Sequence, residues 1–192
     1  GYVLMRFVNA VVLAALVIAL SGVTVGVTVG ARPALAQLEI DITQGVVEPL
    51  PIAVTEFAGV SANDERVGRE IADVISHNLQ RSGLFRPINS DAFIQTNESL
   101  QDGPRYADWR LIDAQALAGG AIETLPDGRL RVEFRLWDVF GEREIAGLAY
   151  TTVPENWRRV GHIISDAIYK RITGEDGYFD TRIVYVSEEG DP

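Results

Sequence analysis

Four side chains near the C-terminal end could do chemistry together. His162, Ser165, Asp166 and Tyr169 stand at i, i+3, i+4 and i+7, a spacing that puts a base, a nucleophile and an acid on one face of a helix. A hydrolase using His162 and Asp166 is one reading of that set. The spacing itself argues against it. All four lie on one continuous helix, where no strained turn presents the serine and nothing forms an oxyanion hole. His162 and Asp166 are only two candidate ligands, which is short of a metal site. The face therefore reads as a structural or contact surface, with the hydrolase kept as the alternative. His77 beside Asn78 reads as a helix flank, and Asp64, Glu65 and Glu70 as a solvated helix face. The Gly119-Gly120 pair falls inside an apolar strand rather than at a strand–helix turn, so it signals a bulge or close packing and not a dinucleotide fingerprint. Glycine-rich phosphate loops with a lysine do not occur. No catalytic, metal-binding or cofactor-binding residue is expected, and no cofactor.

The elements that carry these residues follow from periodicity. Leu38–Thr43 alternates Leu38, Ile40 and Ile42 with Glu39, Asp41 and Thr43, which is a strand pattern followed by a Gly/Pro-rich link. Ile52–Phe57 reads as a buried strand. Ser61 is placed to N-cap a helix in which Val67, Ile71, Val74, Ile75 and Leu79 form one apolar face, closed by Gly83. Leu84–Ile88 reads as a short strand and 89–104 as a polar loop with a turn of helix near Ala92–Ile94. Tyr106–Ala114 reads as a short helix carrying Trp109. Ala118–Thr124, the turn Pro126-Asp127-Gly128, the alternating Leu130–Leu136 and the segment Arg143–Thr152 make a three-stranded meander. Thr152 and Glu155 have capping-box spacing, with Pro154 in the first turn of a helix striped by Trp157, Val160, Ile164, Ile168 and Ile172 and ended by Gly174. Arg182–Val186 reads as one more strand. The fold class expected is α/β: a two-layer sandwich with two long helices packed on one face of a mixed, mostly antiparallel sheet of about five strands.

Composition bounds the rest. The 192 residues are 47% hydrophobic and 23% charged, with a net charge of -10, which excludes a disordered chain and gives no electrostatic footprint for nucleic acid. Arg6, the unbroken apolar run Val11–Leu20 and the small residues Ala34 and Ala36 follow the order of a secretory signal peptide cut after Ala36. The leader would take away two arginines and no acid, so the remainder would be more acidic still. An uncleaved anchor is the other reading, because Phe7 to Val29 is long enough to span a bilayer and would make a membrane-tethered interaction domain. The chain has no cysteine, so no lipid can be attached at the cleavage point. The leader is of bacterial type, so the periplasm is the expected destination; the missing cysteines do not fix the compartment by themselves. Expected boundaries are 1–36 for the signal peptide, 37–48 for a mobile N-terminal tail, 49–176 for an α/β domain and 177–192 for the start of a further domain.

An ordered set of residues resembles one family. Leu38-x-Ile40-x-Ile42-x-x-Gly45-Val46 is followed by Pro51-Ile52-x-Val54-x-x-Phe57 and by Ala72-Asp73-Val74-Ile75-x-x-Asn78-Leu79-x-x-Ser82-Gly83-Leu84-Phe85. Trp109, Pro126-Asp127-Gly128, Gly161-His162-x-x-Ser165-Asp166-x-x-Tyr169 and Gly177-x-Phe179-x-Thr181-Arg182-Ile183-x-Tyr185-Val186 complete it. Together they resemble the TolB amino-terminal domain family over almost all of 37–192. The resemblance implies a non-catalytic periplasmic component of the Tol–Pal system, with an α/β domain leading into a six-bladed β-propeller. Thr181–Val186 would be the propeller's first strand, the rest being absent up to Pro192. It also implies that the N-terminal dozen residues, Gln37, Leu38, Glu39, Ile40, Asp41, Ile42, Thr43, Gln44, Gly45, Val46, Val47 and Glu48, bind the C-terminal domain of TolA. By the same resemblance Pal binds the propeller, the tail switches between TolA and the protein's own surface, and no nucleic acid or small-molecule substrate is involved. The output implied is outer-membrane integrity and constriction at division. At 47–50 the chain reads Val-Glu-Pro-Leu, more apolar than the family pattern, so contacts carry over least there.

Overall fold

A computed structural model of the chain describes residues 48–181. The signal peptide expected at 1–36, most of the expected tail (37–47) and the strand expected at Arg182–Val186 lie outside the described residues. Five strands form one sheet in the order β2-β1-β3-β4-β5. They are β1 (Leu50–Gly59), β2 (Phe85–Pro87), β3 (Ala116–Thr124), β4 (Leu130–Asp138) and β5 (Arg143–Thr152). β1 pairs in parallel with β2 and β3, while β3–β4 and β4–β5 are the antiparallel meander read from the turns. The fold class is the one expected, α/β with a five-stranded mixed sheet.

Parallel neighbours need crossovers, and the two crossovers cover opposite faces. The first is helix α1 (Ala62–Arg81), which lies with α4 (Trp157–Thr173) over the main core of Ile52, Phe57, Ile71, Ile75, Phe134, Ile164 and Ile168. The second runs from β2 to β3 through α2 (Asn97–Leu100) and α3 (Tyr106–Leu111). It covers a smaller core of Ala53, Leu100, Trp109, Leu117, Trp137 and Val139 on the other side of the sheet. The stretch 89–104 is thus not a plain polar loop. Gln95, 3% exposed, organises it. Its Oε1 accepts from Arg105 N–H (2.8 Å) and Trp109 Nε1–H (2.9 Å), and its Nε2 donates to the carbonyls of Ser99 (3.1 Å) and Gly103 (2.9 Å). A buried primary amide so fully paired stands in for regular structure.

Glycine decides where strands can touch. A Cβ at Gly120 would overlap the Glu133 carbonyl on β4 and crowd Phe57, and one at Gly119 would meet Thr55 and Leu100. Close packing is therefore the meaning of the pair, and the β1–β3 register also shifts between Val54 and Phe57. That shift turns Phe57 into the same core as Ile52 and Val54.

The helix caps hold two confirmations and two corrections. Ser61 N-caps α1, as its position implied. Asp64, however, does not join a solvated face: it is 2% exposed and closes a reciprocal capping box. Its Oδ2 accepts from Ser61 Oγ–H (2.8 Å) and Ser61 N–H (3.2 Å), while Asp64 N–H donates to Ser61 Oγ (3.2 Å). Thr124 Oγ1–H, from the end of β3, donates to its Oδ1 at 2.6 Å. Glu65 is exposed, and Glu70 pairs with Arg66 at 2.7 Å. The Thr152/Glu155 capping box does not form. Thr152 stays in β5, Pro154–Asn156 is a 3-10 turn capped by Val153, and α4 starts behind Asn156 with no side-chain cap. The C-terminus of α4 behaves as read: Gly174 sits at φ 78°, the left-handed position that favours glycine.

Candidate functional site

The 162–169 face of α4 is one face, but its polar groups point to different partners. Ser165 is fully buried and donates from Oγ to the Gly161 carbonyl at 2.8 Å. Asn78 of α1, 5% exposed, donates from Nδ2 both to Ser165 Oγ (3.0 Å) and to His162 Nδ1 (2.9 Å). With Nδ1 accepting, the imidazole proton sits on Nε2. Gly161 makes this contact possible, because a Cβ there would press on Val74 of α1 at 2.9 Å. The Gly161-His162-x-x-Ser165 spacing is thus the seam along which α1 and α4 meet.

Asp166 serves a different purpose. Its carboxylate accepts the backbone N–H of Phe179 (Oδ1, 2.8 Å) and of Asp180 (Oδ2, 3.0 Å). The chain leaving α4 therefore turns back along the helix as a strap. Lys170 pairs with Asp176 at 2.6 Å, and Arg159 grips the Asp180 carboxylate at 3.1–3.2 Å through Nε and Nη2. Phe179 is buried, with its ring 5.9 Å from Tyr169 and 4.7 Å from Tyr178. Gly177 lies against Asp166, where a Cβ would overlap the carboxylate. Neither His162 nor Ser165 bonds to Asp166; each has its own structural partner. A hydrolytic relay would need them linked, so the arrangement supports the contact reading. Among the described residues no group of three or more His, Asp or Glu is placed to hold a metal ion.

His77 is exposed on α1, with Nδ1 2.7 Å from the Asp73 carbonyl. It shares a groove of about 440 Å³ with Asn78, Arg81, Trp157, Arg158 and His162. Sequence reasoning treated His77 and His162 separately, since only the pairing of α1 with α4 brings them to one place. Of the expected partner-binding residues Gln37–Glu48, only Glu48 lies among the described residues, and it is exposed just ahead of β1. β1 has strands on both sides, so the centre of the sheet offers no open edge to the segment that precedes it.

Comparison with known proteins agrees with this architecture. The profile of the TolB amino-terminal domain matches residues 38–145. A protein of Paramagnetospirillum magneticum named Tol-Pal system protein TolB is 58% identical over 158 residues. That alignment takes in 82% of this chain and 35% of the relative, so the chain spans about a third of the relative's length. The crystal structure of TolB from Acinetobacter baumannii superposes with a TM-score of 0.58 at 23% identity, covering 75% of this chain and 33% of that one, a likeness of fold. The profile begins at Leu38 and runs through both crossovers into β5, and on that extent the chain belongs to the TolB amino-terminal domain family.

Proposed function

We propose that this chain is a non-catalytic, periplasmic component of the Tol–Pal system. Its N-terminal segment Gln37–Glu48 is a short ligand for the C-terminal domain of TolA. The observation that carries the reading is the 58% identity to a protein bearing the Tol–Pal name. Two features of this chain support it. The family match starts inside the segment, at Leu38. The segment also alternates apolar and acidic residues, a pattern suited to adding a strand to a partner's sheet edge. A segment ordered only on docking gives up conformational entropy at that moment, so its affinity is modest and reversible. Reversibility suits a linker between TolA and Pal, where Pal engages a following propeller and the two partners are coupled through linkage. The output is outer-membrane integrity and constriction at division. Titration calorimetry against the TolA C-terminal domain tests this. Deletion of Gln37–Glu48 should abolish the binding heat and leave the thermal transition of the α/β domain in place. Affinity retained by the deleted chain would sink the proposal.

A further inference from the structure

The two edges of the sheet are built differently. β2, at one edge, is three residues long and contains Arg86 and Pro87, so it is short, charged and blocked by a proline. β5, at the other edge, runs for ten residues, and its stretch Ile145–Thr152 holds no charge and no proline. Among the described residues β5 is paired on one side only, with β4. A long edge without such guards presents its backbone N–H and C=O groups as a template for one more strand.

The side chains of β5 extend the main core beyond its cover. Ala146, Leu148 and Tyr150 stand opposite Leu136, Phe134 and Val132, which are all buried in that core, so the three lie on the helix side of the sheet. Leu148 is nevertheless 44% exposed. α4 stops short of it: Ala146 and Leu148 border an open groove of about 690 Å³ with Ala167, Lys170, Arg171 and Gly174. Both cations there are engaged within the chain. Lys170 pairs with Asp176 at 2.6 Å, and Arg171 Nε–H donates to the Ile145 carbonyl at 2.8 Å. What remains along the edge is an apolar strip that another apolar strand would complete.

We propose that the strand is β5 of a second copy, added antiparallel about a two-fold axis at Leu148, so that two five-stranded sheets become one of ten. The strand is complementary to itself in that register. Leu148 meets Leu148 of the second copy, Ala146 meets Tyr150, and Gly147 meets Ala149, so small residues face larger ones on either side of the axis. A two-fold axis at Gly147 would instead set glycine against glycine and leave a hole. Glu144 falls opposite Thr152, and no like charges meet across the pair. The two Arg171 side chains, each tied to Ile145 three residues from the axis, stand about 20 Å apart, where salt screens them. The contact is isologous and closed, and it leaves only the guarded β2 edges, so assembly stops at two. A single strand pair buries less than about 1,200 Å², which makes the dimer weak and dependent on concentration. This stands independently of the TolA reading.

The chain contains no cysteine, so a single introduced thiol can form a disulfide only between copies. Under mild oxidation Leu148→Cys should link, because directly opposed residues lie within disulfide reach. Ala146→Cys alone should not, since the two thiols then sit about 13 Å apart along the strands. Mixed with Tyr150→Cys it should link, as mass spectrometry of the mixed dimer reads. Sedimentation velocity of the parent chain should show a dimer that grows with concentration. Leu148→Lys, at an exposed site, should weaken that association at least about tenfold by setting two ammonium groups face to face. A parent chain that stays monomeric at every concentration overturns the proposal. So does Leu148→Cys that remains unlinked, or Ala146→Cys alone that links as fast as Leu148→Cys. A dimer that vanishes when Gln37–Glu48 is deleted overturns it in favour of the tail as the added strand.

Discussion

Asp166→Ala is the most direct test of how the strap is held. The substitution removes the acceptor for two backbone N–H groups, those of Phe179 and Asp180. Hydrogen bonds to a charged group contribute about 1.5–3 kcal/mol each. Asp166 is only half-buried, so water takes over part of the role when the strap opens, and the combined loss is about 2–3 kcal/mol. At about 1.4 kcal/mol per factor of ten, the open strap becomes roughly 30- to 150-fold more populated. Amide hydrogen exchange followed residue by residue reads that population directly. Phe179 and Asp180 should exchange faster by this factor in Asp166→Ala, while amides of the central β1–β3 ladder, such as Ala118, change less than about threefold because the opening is local. Asp180→Ala is the control. It removes only an exposed ion pair with Arg159, worth about 0.2–1 kcal/mol, and should accelerate the Phe179 amide by less than about fivefold. Acceleration below about threefold in Asp166→Ala would refute the clamp, and equal acceleration in β1 would show that Asp166 supports the whole domain instead.

Other consequences are as open to measurement. Asn78→Ala removes two hydrogen bonds across the α1–α4 seam and leaves a small void, for about 2–3 kcal/mol in denaturant unfolding. Crossed with Ser165→Ala in a double-mutant cycle, it should show a coupling of about 1 kcal/mol, and additive losses would contradict the bond. Gln95→Ala leaves Trp109 Nε1–H and three backbone groups without their partner, so it should cost about 3 kcal/mol or more and shift the tryptophan fluorescence. Burial pushes the Asp64 carboxyl up, but hydrogen bonds from Thr124 and Ser61 outweigh it and hold the group below its ordinary 3.8. A folded-state pKa below the unfolded one stabilises above pH ~3.8, and that contribution is lost as pH falls through the folded value. The stability difference between the parent and Asp64→Asn should therefore shrink as pH drops below about 4; a constant difference down to pH 2 would contradict the assignment.

Much of the fold was legible because its signals are local. Alternation in Leu130–Leu136, the Pro126-Asp127-Gly128 turn and the apolar stripes of α1 and α4 each lie within a dozen residues and depend on no distant partner. Gly174 and Ser61 were legible for the same reason, since a left-handed cap and an N-cap depend on neighbouring residues. The Thr152/Glu155 spacing misled because capping competes with strand pairing: Thr152 is held opposite Leu130 in the β4–β5 ladder. Asp64 misled in the opposite sense. A first-turn carboxylate is normally solvated, and only Thr124, sixty residues away, encloses this one. Gln95 gave no signal at all, because a glutamine in a polar stretch is ordinary until four backbone and side-chain groups converge on it.

The candidate site divides along the same line. The sequence by itself determined that His162, Ser165, Asp166 and Tyr169 share a helix face, since a 3.6-residue period allows nothing else. It also carried the ordered pattern by which the family is recognised. Tertiary structure alone decided what the face is for. Whether a serine is a nucleophile or a buried donor, and whether a carboxylate is a general base or an acceptor for two main-chain amides, depends on the group a few ångströms away. Here that group comes from another part of the chain: Asn78 for Ser165 and His162, and Phe179 and Asp180 for Asp166. Hydrogen bonds and desolvation act through space at about 3 Å, whereas spacing in sequence constrains only the element that carries the residue.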